Sequence, residues 1–280
     1  MKLIKPYFEI IEQELGLEGI YKQIELAGRT CYKSEDKITP DSAKGFVDRM
    51  IKSGHGAMLE HGTVYLKVPV NIDIAPDFLD DVATWTKCKL VQENTGNWWA
   101  ITTNYRRIIE CNYLDHLKYI CEPTEYHEKR VCVRFVCDRG VSHEFVRHRV
   151  FSFAQESTRY CNYSKDKFGN ELTFIIPCWT NLGEGSYNDI SDLIHTDAVF
   201  INSICDAEDY YLGLLNEGWT PQQARAVLPN ALKTELVMTG FISDWAHFFD
   251  LRCDKAAHPQ ARELAIPLQE EFVKRGYIYE

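Results

Sequence analysis

Apolar and polar positions alternate along this chain in segments that can be read one at a time. Residues Leu17 to Ala27 carry a helical pattern and are followed by Gly28-Arg29-Thr30-Cys31-Tyr32. Beyond Asp41, a side chain suited to a helix N-cap, the apolar positions Ala43, Phe46, Val47 and Met50 form one helical stripe. Gly54-His55-Gly56 ends that helix in a turn whose imidazole either reaches a ligand or is simply solvated. Two segments rich in β-branched residues, Thr63 to Val70 and Val131 to Cys137, predict strands. Leu172 to Pro177 predicts a third extended segment, and Asn97 to Ile109 a strand pair or a strand with its entry. A short helix is expected over Asp77 to Trp85 and a helical turn over Tyr113 to Tyr119. Ser142 is a suitable cap for a helix beginning at His143. Long helices are expected over Ile190 to Gly218, over most of Asn230 to Phe249, and over Ala261 to Lys274. Thr220-Pro221 reads as a cap followed by proline at the first helical position of a further helix. Strands interspersed with helices predict an α/β (α+β) fold, a mixed sheet flanked by long helices. No repeat or linker divides the 280 residues, so one catalytic domain spanning 1–280 is expected.

Composition narrows the function classes. The formal net charge of −10 disfavours nucleic acid as a partner, and no apolar run approaches membrane-spanning length. The ten cysteines are scattered with no C-x-x-C pair, and the N-terminus lacks the apolar run of a signal peptide. Mostly buried thiols in a reducing, cytoplasmic setting are therefore expected, and no metal.

Against this acidic background one stretch is dense in cations: Arg147-His148-Arg149-Val150-Phe151-Ser152-Phe153-Ala154-Gln155-Glu156-Ser157-Thr158-Arg159-Tyr160. On a helix from His143, Glu144 lies three residues from Arg147 and four from His148, so these share a face before the chain runs into a loop. Guanidinium forks with nearby hydroxyls suit a phosphate-bearing ligand such as a nucleotide. A surface ion-pair network with Glu144 and Glu156 is an equal reading of the chemistry alone.

The spacing Arg147-His148-Arg149, seven residues, Ser157, continued by Thr158-Arg159-Tyr160, resembles the signature of the flavin-dependent thymidylate synthases. Ala224-Arg225-Ala226-Val227-Leu228-Pro229, Phe248-Phe249-Asp250-Leu251-Arg252, and Gly54-His55 with Glu60-His61 resemble three further segments of that family. The resemblance spans about 40–70 and 130–265, which makes about 71–130 an insertion. It implies reductive methylation of dUMP to dTMP in de novo dTMP biosynthesis. The carbon donor would be 5,10-methylenetetrahydrofolate and the hydride carrier FAD reduced by NADPH, with no covalent cysteine adduct. It implies a homotetramer with active sites shared between chains. By position it implies FAD contacts from Arg147, His148, Arg149, Gln155, His247 and His55. It implies dUMP contacts from Glu144, Arg147, Gln155, Glu156, Ser157, Arg159, Arg225 and Arg252. It also implies that Arg252 faces the uracil edge as the catalytic cation. Pro177-Cys178 is similar to the nucleophile of the unrelated thymidylate synthase class, but Trp179 follows, and Cys178 is expected to end a strand instead.

Overall fold

The computed structural model describes residues 1–72, 85–94, 96–187 and 192–279. In chain order the first elements are β1 (Lys2–Ile4), β2 (Tyr7–Ile11), α1 (Gly16–Tyr32), α2 (Ser42–Lys52) and the single turn α3 (Gly56–Leu59). Next come β3 (Thr63–Pro69), β4 (Lys87–Glu93), β5 (Gly96–Asn104) and α4 (Tyr105–Glu110). The chain continues through β6 (Arg130–Asp138), α5 (Arg139–Phe145), β7 (Ser152–Gln155), β8 (Thr173–Ile175) and β9 (Gly185–Ser186). It closes with α6 (His195–Asn216), α7 (Pro221–Ala224), β10 (Lys233–Phe241), α8 (Ile242–Arg252) and α9 (Pro259–Lys274). The mixed α/β class is as expected. The helix expected over Asp77 to Trp85 falls almost wholly outside the described residues.

The four-stranded antiparallel sheet β2-β6-β10-β7 organises the molecule. Its central strand β10 corrects the helix expected from Asn230 onward. Every residue of β10 after Lys233 is buried, because α8 and α9 cover one face and α1 the other. A strand covered on both faces loses the period-2 signal and reads as a continuous apolar run, which cannot be told from a helix by pattern alone. Phe135, Leu236, Met238, Trp245, Phe248 and Phe272 build the larger core on the α8/α9 side. Ala27, Cys132, Ala154 and Val237 pack on the α1 side. Gly240 is required within β10, since a Cβ there would lie 2.4 Å from the Phe151 ring.

A second antiparallel sheet, β3-β5-β4, packs under α1 and α2 through Ile24, Phe46, Val64, Leu66 and Ile101. The third sheet, β8-β1-β9, joins β1 to β8 in parallel and sits beneath α6 through Leu3, Phe174, Ile201 and Tyr211. Strands β1 and β2 have no counterpart in the sequence reading, because three to five residues are too few to show a period. Helix α1 runs through Gly28 to Tyr32, five residues beyond the expected end, before Lys33 closes it in a left-handed conformation. Of the ten cysteines, all free, three are buried, six half-buried and one, Cys178, exposed. None of the described helices is long and apolar enough to cross a membrane.

Candidate functional site

Strand β6 runs directly into helix α5. Asp138, not Ser142, caps that helix, its Oδ1 accepting the Val141 N–H at 2.6 Å. Ser142 is buried one turn in, where its Oγ donates to the Arg139 carbonyl at 2.9 Å and accepts from Gln155 Nε2 at 2.8 Å. The helix stops at Phe145, and a turn leads to β7, which pairs with Leu236 to Thr239 of β10. Ser152 to Gln155 therefore form a strand where a loop was expected. Phe145 and Phe151 are buried on either side of this turn, whereas Arg147 and Arg149 are exposed.

Arg252, the last residue of α8, is the hub of the first half of the site. Trp245, Phe248 and Phe249 bury the inner face of α8, which aims its C-terminal end at the turn. The Arg252 Nε donates to His148 Nε2 at 2.9 Å, Nη1 to Glu144 Oε2 at 2.8 Å, and Nη2 to the Glu144 carbonyl at 2.6 Å. An arginine can only donate, so His148 Nε2 accepts and the ring proton sits on Nδ1. Burial, then the charges of Arg252, His247 and Arg147, push the His148 pKa down to about 4. Burial would raise the Glu144 pKa, but the Arg252 hydrogen bond and the charges of Arg252 and Arg147 hold it below the ordinary value.

Arg147 touches Glu144 only at 3.4 Å and its side chain is 71% exposed. Arg149 and His247 are exposed, the His247 ring 6.4 Å from that of His148. These side chains line a cleft of about 760 Å³ with Arg147, His148 and Arg252 on its walls. The donor set suits a phosphate-bearing flavin: exposed guanidiniums are available to an anion, and the cleft is large enough for a ring system.

A stability prediction arises here. His148 and His61, the latter lowered to about 3 by burial and then by the Arg130 charge, stay neutral in the folded protein. The unfolded chain binds their protons below about pH 6.5, so stability is complete above that pH and falls as pH drops towards 4. His148 alone accounts for on the order of 3 kcal/mol. Thermal unfolding across pH 4 to 8 should show Tm declining below pH 6.5, and His148→Gln should flatten part of that decline.

The second half of the site is the loop after β7. Glu156 does not face solvent. It is buried, accepting from the Tyr163 hydroxyl at 3.0 Å and from Lys233 Nζ at 2.9 Å. Lys233 also reaches Glu235 at 2.6 Å, and Lys33 bridges Glu235 and Glu35 at 2.9 Å each. Burial would raise the Glu235 pKa, but Lys233 and Lys33 overcome it and hold it at about 2. On this foundation Ser157 donates its N–H to the Cys31 carbonyl at 3.0 Å, tying the loop to the end of α1. Arg159 Nε donates to Gln222 Oε1 at 3.0 Å, and Arg225 Nη1 reaches Thr158 Oγ1 at 3.4 Å. Both arginines are exposed, so Ser157, Arg159 and Arg225 form one polar surface. Gln155 is half-buried, donating to Ser142 and to Thr234 Oγ1 at 3.2 Å. His55 shares a 3.0 Å hydrogen bond with the Tyr32 hydroxyl, and the Tyr32 ring lies 5.2 Å from that of Tyr160. His55 thus connects to this loop rather than to the Arg252 hub.

The sequence reading missed Lys33, Lys233 and Glu235. Lys233-Thr234-Glu235 held the signal, since residues two apart on a strand share a face. Cys178 lies in a turn three residues beyond the end of β8 rather than ending that strand. Burial, then the Glu263 charge, raises its pKa, the opposite of an activated nucleophile.

Residues 124–275 match the family model described as thymidylate synthase complementing protein. Flavin-dependent thymidylate synthase of Pyrococcus furiosus is 32% identical over 187 residues, covering 65% of this chain and 71% of that protein. The Corynebacterium glutamicum protein of the same name is 24% identical over 263 residues, covering 91% of this chain and 76% of its own length. That of Geobacter sulfurreducens is 33% identical over 130 residues, where the alignment spans 46% of this chain and 50% of that protein. A solved structure of a UMP/dUMP methylase from Streptomyces cacaoi, bound with 5-Br dUMP, aligns over 98% of this chain and 93% of that one. Its 18% identity and TM-score of 0.44 make it too loose a likeness to bear on the site. The family match covers over half of the chain, and about a third of positions are identical across most of the Pyrococcus protein. The chain belongs to the flavin-dependent thymidylate synthase family.

Proposed function

We propose that this enzyme makes dTMP from dUMP, with 5,10-methylenetetrahydrofolate as carbon donor and NADPH as reductant, and without a covalent cysteine adduct. The observation that carries the reading is the Arg252 fork, held by Glu144 and His148 on the wall of the cleft that Arg147 and Arg149 line. A guanidinium fixed through Nε and both Nη atoms is preorganised, and preorganised donors stabilise developing negative charge without reorganisation at the moment of reaction. In this role Arg252 stabilises negative charge on the uracil edge. FAD, when bound, supplies the hydride chemistry. Arg147, Arg149 and His247 would hold it, while His148 contributes by fixing Arg252. Ser157, Arg159 and Arg225 would take the nucleotide phosphate, with His55 at the edge of that surface. Gln155 would approach the ligand from β7, and Glu156 would act from beneath by setting the loop's height.

We further read the protein as one cytoplasmic catalytic domain, assembled as a homotetramer with shared sites, with about 71–130 inserted. The decisive experiment is uptake of FAD with a flavin absorption spectrum, then tritium release from labelled dUMP in the presence of NADPH and the folate. A protein that takes up no FAD would sink the proposal. For the nucleotide surface, Arg159→Ala removes a charged hydrogen-bond donor at an exposed position. The KM for dUMP should rise about 10- to 100-fold with kcat much less affected. Steady-state kinetics at saturating folate and NADPH check this.

A further inference from the structure

A second, partly open space lies on the opposite side of the main sheet from α8 and α9. It is a cavity of about 130 Å³ between α1, the start of β3 and the start of β6. Its polar lining includes Gln23, His61, Thr63, Tyr65, Arg130 and Cys132, together with Gln13, Lys129 and the carboxylates of Glu12 and Glu14. Two of these side chains are left with unmet hydrogen-bonding capacity. Gln23 is 4% exposed and its Nε2 makes no well-formed hydrogen bond, its side chain having only a weak interaction with the Cys132 thiol; His61 is 1% exposed and its Nε2 makes none, its ring having only a weak interaction with the Phe153 backbone. The His61 Nδ1 is already engaged with Thr239 Oγ1 at 2.8 Å. Burying an amide without a partner costs roughly 1–3 kcal/mol, so two on one cavity call for an occupant.

Arg130 determines what kind of occupant. The acceptors recorded for its guanidinium are all neutral: the Glu60 carbonyl at 3.0 Å, Thr63 Oγ1 at 3.4 Å and Ser152 Oγ at 3.2 Å. The nearby Glu60 carboxylate is committed instead to Arg106 at 2.7 Å. Among the described residues no carboxylate pairs directly with Arg130; the charges of Glu60 and Asp244 act on it only at longer range, and a buried guanidinium without a contacting counter-charge is strongly unfavourable. The carboxylates near the opening are spoken for: Glu12 by Arg275 and Tyr277, and Glu14 by Lys22. Water would meet the hydrogen bonds but not the charge.

We propose that this cavity binds a small oxyanion, of formate to phosphate size, between the Arg130 guanidinium, Gln23 Nε2 and His61 Nε2. The site is separate from the Arg147–Arg252 cleft, and its existence does not depend on the proposed reaction. Occupancy ties α1 and His61, two residues before β3, to Ser152, the first residue of β7, through Arg130.

Sodium formate titrated into the purified, extensively dialysed protein at constant ionic strength tests it by thermal unfolding. Tm should rise saturably, by about 3–5 °C at ten times the midpoint concentration. Gln23→Met keeps the volume and removes the amide donor, and should move the midpoint at least about tenfold higher. Arg130→Met should abolish the rise. Because Arg130 also braces Glu60 and Ser152, that variant can fail to fold, and Gln23→Met then decides alone. No rise in the wild type, or an equal rise in Gln23→Met, would overturn the proposal. Crystals soaked in bromide give a direct reading. An anomalous peak within hydrogen-bond distance of Gln23 Nε2 supports the site, and none there at saturating bromide counts against it.

Discussion

Arg252→Ala should lower turnover by at least about a thousandfold while FAD uptake persists. The substitution removes three donor bonds at once and leaves the Glu144 carboxylate and the His148 lone pair facing the cleft with nothing between them. Arg147 and Arg149 stay in place on the same cleft, which is why flavin binding should survive. Arg252→Lys should rescue little, because a point-like ammonium on a flexible stem cannot reproduce a planar fork shared between an imidazole and a carboxylate. Tritium release and a flavin titration on the same preparation separate the two effects. Activity of Arg252→Ala within tenfold of wild type would remove Arg252 from the catalytic role.

Lys233→Met should be the most destabilising single change near the site. Lys233 separates Glu156 from Glu235, and the Glu156 side chain is only 1% exposed. Breaking a buried pair by deleting one partner costs about 3–5 kcal/mol, because the charge left behind is uncompensated. For a chain of this size that corresponds to a fall in Tm on the order of 10 °C. Adding Glu156→Gln to Lys233→Met should recover part of the loss, since it removes the stranded charge. Thermal and denaturant unfolding of the three variants form the test. A single-variant fall of under about 2 °C would mean the network adds little to stability.

The main sheet and the site differ in how far they can be read before folding. The α2 stripe of Ala43, Phe46, Val47 and Met50 and the strands Thr63–Pro69 and Arg130–Asp138 were legible, since each pattern is local and one face or the whole strand meets the core. Strand β10 was not legible, because its burial comes from β6 and β7 on its two edges and helices on both faces. The cap of α5 was misplaced by four residues because Ser142 is also a good cap type. Asp138 won because β6 delivers it in extended conformation with its carboxylate aimed at the Val141 N–H.

From residue types and spacing alone came the family resemblance, the cation-rich stretch from Arg147 to Tyr160, and Arg225 and Arg252 as its distant complements. Which of those side chains meet was settled by the tertiary structure. Arg252 and Glu144 are 108 positions apart, and Arg225 and Thr158 are 67 apart. Only the packing of α8 against the sheet brings the first pair together. Folding also sorted similar residues into different roles: Arg147 and Arg149 stay exposed at the cleft while His148 between them is buried against Arg252. Glu156 went under the loop while its neighbour Ser157 stayed partly exposed. Sequence specifies which groups are available, but burial and long-range pairing set their direction, charge and partners, and those follow only from the fold.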